Sequence, residues 1–448
     1  MTTKSPTKAS LLLFTLICGL AVVAPCAYTQ TTEVSAPRLK FVLILTRHGV
    51  RSPTGSNEQL DQYSSQPWPK WDVPPGYLTP HGAKLMTIFG AYDRAYLAQQ
   101  GLVSATGCED AAHISIYADS EERTVESAKS LAEGMFPGCP PDRRPQQHWL
   151  MEGKPDPLFH PLAASVAKYD RDRALASIGG RIGNDPKGVT AAYRPQLEAL
   201  QSILLGCAAA LPCPSPGHTP SKLLLDIPAT LDAGKGDHLA ELRGPLNSAS
   251  TLTENFLLEY TEGLPMEQVG WGHLDASSVR HLMDLHTAAS DLTRRTPYLA
   301  TVQASGLLAH IVDTFQQAVS GKAVPGALGK LNDNVVVLVG HDTNIANVAG
   351  MLSLNWLLDG RRDDTPPGGA LVFELWQKPD PAGYEVHAYY MAQRLEQMRN
   401  AVPLNMDQPP SRANLFIPAC STGAEGFPCA WAGFQETLRK IIDPSFAD

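Results

Sequence analysis

No apolar run in these 448 residues is long enough to cross a bilayer comfortably. The longest, Leu11 to Val23, covers 13 positions, where a spanning helix needs about 20, so no stable membrane association is expected. Basic charge is also in deficit. Thirty-six lysines and arginines face 45 acidic side chains, a formal net charge of −9, which removes the electrostatic basis for a nucleic-acid partner or an anionic membrane surface. Histidines such as His281 and His286 lack a tight cluster of cysteine or carboxylate ligands and read as surface or satisfied core residues. No metal and no cofactor is expected. Internal repeats are missing, and the only biased stretch, residues 28 to 37, reads as an unstructured lead-in.

What is present begins with Lys4 and Lys8 ahead of the apolar run, followed by small residues near Ala24 and Ala27. That is the pattern of a signal peptide over residues 1–27, which predicts a periplasmic or secreted chain. Pro25 beside Cys26 argues against lipid attachment at that cysteine. Without Cys18 and Cys26, six cysteines remain of the eight: Cys108, Cys139, Cys207, Cys213, Cys420 and Cys429. An even number in an oxidising compartment favours disulfides, with connectivity left open by sequence.

The richest segment is Arg47-His48-Gly49-Val50-Arg51-Ser52-Pro53, directly after the β-branched apolar run Lys40 to Thr46. Such a run reads as a strand buried on both faces. Its carboxyl end is where open α/β sheets bind ligands. Two arginines four positions apart can aim planar, permanently charged forks at one phosphate, and a neutral imidazole between them can attack phosphorus. A second strand-like run, Asn334 to Gly340, ends in His341 and Asp342. If the two strands are parallel neighbours, His48 and His341 converge, with Asp342 beside them as a general acid. A third, His113 to Ala118, leads into a helical pattern reaching about Glu133 and places Arg123 in its first turn, where backbone N–H groups favour an anion.

Together these motifs resemble the histidine acid phosphatase family, whose marks are Arg-His-Gly-x-Arg-x-Pro and a later His-Asp pair. The chain is most similar to the periplasmic bacterial branch of phytases and acid phosphatases. Gly76-Tyr77-Leu78-Thr79-Pro80-His81-Gly82, Ala118 to Thr124, Leu252-Thr253-Glu254, Gly270-Trp271-Gly272 and Thr365-Pro366-Pro367-Gly368-Gly369 extend the likeness over nearly all of the chain after residue 38. The resemblance implies that His48 forms a phosphohistidine and that Arg47, Arg51 and Arg123 clamp the phosphate oxygens. It further implies that His341 donates to them and that Asp342 protonates the leaving alcohol. Thr54, Glu254 and Thr343 match positions that line the substrate pocket. It pairs Cys108 with Cys139, Cys207 with Cys213 and Cys420 with Cys429.

Clustered arginines should keep His48 neutral and nucleophilic, and an acid that works as a protonated carboxyl predicts an acidic pH optimum. A phosphoglycerate mutase would share the Arg-His-Gly nucleophile, but the export pattern and paired cysteines argue against that cytosolic role. A phosphate-binding module would have no use for His48 and Asp342 together.

About 420 residues after the leader exceed one ordinary core, so two lobes are expected. Strand-like runs at 40 to 46, 113 to 118, 334 to 340 and 370 to 376 bracket a middle with helical spacing at 188 to 210, 249 to 263, 277 to 293 and 299 to 320. The expected architecture is α/β, a central, mostly parallel sheet flanked by helices, which the resemblance implies is the histidine phosphatase (phosphoglycerate-mutase-like) fold. Residues 38–160 and 291–448 would form this discontinuous catalytic domain, with 161–290 as an inserted, mostly helical domain. The substrate is expected to be a small phosphate monoester, phytate or a sugar phosphate, acted on by a monomer. Gly55 stands where close relatives carry lysine, and Gln303 where the alignment places arginine. Both remove positive charge, which keeps a glucose-1-phosphatase as the alternative, unless Lys70, Lys84 or Arg295 compensates.

Overall fold

The computed structural model describes residues 36–206, 219–379 and 383–447. The expected leader and the Cys207–Cys213 pair lie outside the described residues.

Seven strands in chain order build the main sheet: β1 (Arg38–Arg47), β2 (Ile114–Ala118), β3 (Gln146–His148), β4 (Val335–Gly340), β5 (Ala370–Gln377), β6 (Tyr384–Ala392) and β7 (Ser411–Leu415). A two-residue strand, β8 (Cys429–Ala430), pairs with β6. The spatial order is β7-β6-β5-β1-β4-β2-β3. The half from β1 to β3 is parallel, and β5 to β8 continue it antiparallel.

The apolar run of β1 is continuous because both of its faces are covered. Phe41, Leu43 and Leu45 enter one core with Val336, Leu338 and Phe315. Val42 and Ile44 enter the opposite core with Val337, Phe89 and Leu131. Helices Pro80–Gln99 and Glu122–Met135 cover the second face, while Pro297–Ser320, Asp342–Leu352 and Trp431–Ile441 cover the first.

A third core belongs to helices Arg194–Leu204, Pro245–Glu262 and Ala276–Thr293, where Leu200, Phe256, Leu257 and Leu285 pack together. Leu60, Trp68 and Leu395 join it from segments flanking the sheet. The helical spacing expected over 188 to 210 is broken at Tyr193, giving Pro186–Ala192 and Arg194–Leu204 in place of one helix. Pro195 explains the break: it has no N–H to continue the first helix and is at home in the first turn of the second.

Candidate active site

The register settles where the two histidines go. Arg47 of β1 pairs with Gly340 of β4 in a parallel ladder, so His48 and His341 leave the sheet side by side. Their rings lie 5.6 Å apart. On the other side of β4, β2 runs parallel and its exit, Asp119 to Glu121, leads into the helix that carries Arg123. Three strand exits therefore meet at one sheet edge.

The loop after β1 is held from several directions. The Arg47 N–H donates to Gly369 O at 2.9 Å, His48 N–H to Gly340 O at 3.0 Å, Gly368 N–H to His48 O at 2.9 Å, and Gly49 N–H to Ser127 Oγ at 2.9 Å. Helix Pro80–Gln99 approaches the same loop backbone to backbone, and a Cβ on Gly82 would lie 2.1 Å from Val50 O.

His48 is 2% exposed, and its Nδ1 lies 2.8 Å from Gly49 O. Since a carbonyl only accepts, Nδ1 carries the proton and Nε2 keeps its lone pair. Burial, then the charges of Arg123, Arg47 and Arg51, hold the imidazole well below its ordinary pKa. Neutrality and the free Nε2 are what a nucleophile at phosphorus requires.

Arg47 and Arg51 are both buried and share one carboxylate, that of Glu254 on helix Pro245–Glu262. Burial pushes that carboxyl up, but Arg51, Arg47 and His286 outweigh it and bring it down to about 2. Arg123 pairs with Glu121. Each guanidinium expected to hold phosphate is thus already turned toward a carboxylate.

His341 Nε2 lies 2.7 Å from Asp119 Oδ2. Asp342 opens helix Asp342–Leu352 and is 9% exposed. Burial raises its carboxyl, but Arg294, Arg47 and His286 together hold it well below the ordinary range. Thr343 is half-buried and donates its N–H to Asp342 Oδ1 at 2.9 Å, and Thr54 is exposed a few residues past Arg51. Eight of the nine expected site residues fall on this edge or along the segments that leave it, and the ninth, Glu254, reaches it from helix Pro245–Glu262.

Sequence reasoning missed several neighbours. His286, expected as a surface or satisfied core residue, is buried but only partly satisfied. Its Nδ1 meets Ser250 Oγ at 3.1 Å, whereas its Nε2 lies 3.8 Å from Asp342 Oδ2 and has no hydrogen-bond partner, because its helix packs that face against the site. Arg294, directly after the same helix, forms an ion pair with Asp342. Its neighbour Arg295, expected as a compensating charge, is committed elsewhere to Asp363 and Asn355. His160 contacts Asp119 at 3.0 Å and Asp237 at 2.6 Å. Burial lowers its pKa, but the two carboxylates raise it to about 10. No periodicity marks His160, since it sits in a loop between prolines.

Two disulfides appear as paired by the resemblance, Cys108–Cys139 and Cys420–Cys429, with Cα separations of 5.9 and 5.2 Å. No described helix is long and apolar enough to cross a membrane.

A histidine at the end of one central strand, a His-Asp pair at the end of its parallel neighbour and an arginine clamp define a class. The chain belongs to the histidine phosphatase superfamily, branch 2, whose family model matches residues 38–174 and 245–391. It is 33% identical over 435 residues to phytase AppA of Escherichia coli (strain K12), covering 96% of this chain and 98% of that protein. It is 28% identical over 442 residues to a glucose-1-phosphatase of Providencia rettgeri, covering 96% and 99%. Among solved structures, Hafnia alvei phytase in complex with tartrate superposes with a TM-score of 0.81 at 30% identity, over 92% of this chain and 99% of that one. The phytase from Citrobacter braakii does so with 0.79 at 31%, over the same shares.

Proposed function

We propose that this chain is an acid phosphomonoesterase that hydrolyses phytate and other phosphate monoesters through a phosphohistidine on His48. The observation that carries this reading is the free Nε2 of a neutral His48, facing a seat lined by Arg47, Arg51 and Arg123. Phosphoryl transfer needs mainly positioning and stabilisation of charge on the equatorial oxygens, which three guanidinium groups and His341 supply. Nε2 forms the N–P bond as the P–O bond to the alcohol breaks, and Asp342 passes its proton to the departing oxygen. Water then attacks phosphorus, the N–P bond breaks, Asp342 takes the water's proton, and inorganic phosphate leaves.

Paired with Arg294, Asp342 is a carboxylate, so it needs a proton before it can act. The dianion that displaces Glu254 brings negative charge next to Asp342, and movement of Arg294 toward that charge weakens the ion pair. Both raise the carboxyl toward protonation. The site would lie between a discontinuous α/β part, 38–160 with 291–448, and a helical part, 161–290. The leader pattern supports export to the periplasm or medium.

Two features support phytate despite Gly55 and Gln303. Lys70 lines the same surface pocket as Gly55, and Arg294 stands at the leaving-group side. The second reading, a glucose-1-phosphatase, is favoured by Gln303, whose amide is spent on Asp237 O at 2.6 Å. The test is phosphate release at about pH 4.5 from phytate, glucose 1-phosphate and p-nitrophenyl phosphate, by wild type and His48→Ala. Phytate turnover lost in the mutant is expected. Turnover of the small esters alone replaces the substrate, and unchanged activity in the mutant overturns the nucleophile. An optimum above about pH 7.5 would remove Asp342 as the acid.

A further inference from the structure

We propose that Asp119, Glu121, His160 and His341 form a binding site for a divalent first-row transition ion, Zn2+ being the reference case, and that the bound ion blocks the phosphate seat. One ligand-type atom from each lies within 4.8 Å of all the others. Asp119 Oδ2 is 2.7 Å from His341 Nε2 and 3.0 Å from His160 Nε2, and Glu121 Oε2 is 3.4 Å from His341 Nε2. Donor atoms about 2.0–2.2 Å from one ion stand roughly 3 to 3.5 Å from each other, so little movement is needed.

Three independent segments supply these groups: the exit of β2, the loop holding His160, and the exit of β4. Asp237 adds what a ligating histidine ordinarily has behind it. Its Oδ2 lies 2.6 Å from His160 Nδ1, which fixes that nitrogen as the donor and turns Nε2 inward. Asp119 is wholly buried, and its Oδ1 has no hydrogen-bond partner. Two imidazole nitrogens with two carboxylate oxygens suit Zn2+ and its neighbours better than Ca2+ or Mg2+.

Occupancy takes Nε2 of His341 and draws Glu121 from Arg123, so the ion and a phosphate ester compete. The binding half of this inference stands without the reaction scheme; the inhibitory half rests on it. Untagged full-length protein would be titrated with Co2+, followed by visible absorption, and with Zn2+, followed by calorimetry. One saturable equivalent is expected for wild type, with affinity at least about tenfold weaker in His160→Asn and in Asp237→Asn. Circular dichroism and hydrolysis of p-nitrophenyl phosphate would verify that His160→Asn is folded. Zn2+ should inhibit wild-type hydrolysis competitively and lose that effect in His160→Asn. Absence of saturable binding, or wild-type affinity in His160→Asn, overturns the site. Binding without inhibition overturns the blocking role, and the metal-free activity of His48→Ala judges the reaction scheme separately.

Discussion

Glu254 bridges Arg47 and Arg51, the two arginines proposed to hold phosphate. Removing its charge deletes an internal competitor. Glu254→Gln should therefore tighten competitive inhibition by inorganic phosphate several-fold, as read from inhibition constants for p-nitrophenyl phosphate hydrolysis. Weaker inhibition would instead mean that Glu254 is needed to hold the two arginines in place. Arg294 has the opposite sign. Arg294→Gln should lower kcat/KM for phytate by about tenfold, the order expected for one charge-assisted contact, and lower it less for glucose 1-phosphate. Equal losses on both esters would show that Arg294 serves only Asp342. At this scale the sequence was readable where chemistry sits beside a strand end, as at His48, Arg51, His341 and Asp342. It was silent on His160 and Arg294 and misplaced His286, because the surroundings of all three arise from packing between distant segments. Arg294 and Arg295 are adjacent and chemically alike, and only the helix end decides which of them faces Asp342.

Among the elements, buried strands announced themselves through unbroken apolar runs, and β1, β2, β4 and β5 lie within about two residues of their expected limits. The three-residue β3, with the polar sequence Gln-Gln-His, gave no pattern to read. In β6 the alternation of Val386 and Ala388 with Glu385 and His387 gives way to the unbroken run Tyr389 to Ala392, and pairing with β5 makes the whole a strand. Helix Pro80–Gln99 went unread too, although its start matters for the site. Thr79 caps it, accepting the Gly82 N–H at 2.8 Å, and Gly82 lets it close on Val50. An added methyl there has no room against backbone. Gly82→Ala is expected to cost about 1–3 kcal/mol of stability and to lower kcat by shifting the His48 loop, measurable by denaturant unfolding and by turnover at saturation.

The whole molecule should be an acid-stable one. Glu259 is 1% exposed, and burial pushes its carboxyl up to about 8 despite the Gly270 N–H it accepts. Burial likewise pushes Glu262 up to about 7 and Asp93 well above its usual range. In an unfolded chain these groups ionise near pH ~4, whereas folded they keep their protons. Between those values the unfolded state binds fewer protons, so stability is fully present at the acid end and is lost as pH rises. The loss reaches up to about 1.4 kcal/mol per pH unit for each buried group. Glu254, lowered to about 2, works the other way, its contribution fading as pH falls below its ordinary value of ~4. Thermal unfolding should therefore show greatest stability near pH ~4–5 and a decline toward pH 8. Glu259→Gln should flatten that decline, and an unchanged slope would show that other groups govern it.

The hydrogen bonds around His48 also set a timetable. Its loop is pinned by Gly340, Gly368 and Gly369, some three hundred positions downstream, as well as by Ser127. A ribosome that has reached residue 330 has already made the complete Arg-His-Gly-x-Arg motif, yet neither β4 nor the Gly368-Gly369 turn exists to receive it. During synthesis the proposed nucleophile therefore lacks these supports, and the site can be assembled only when the last third of the chain has arrived and closed the sheet.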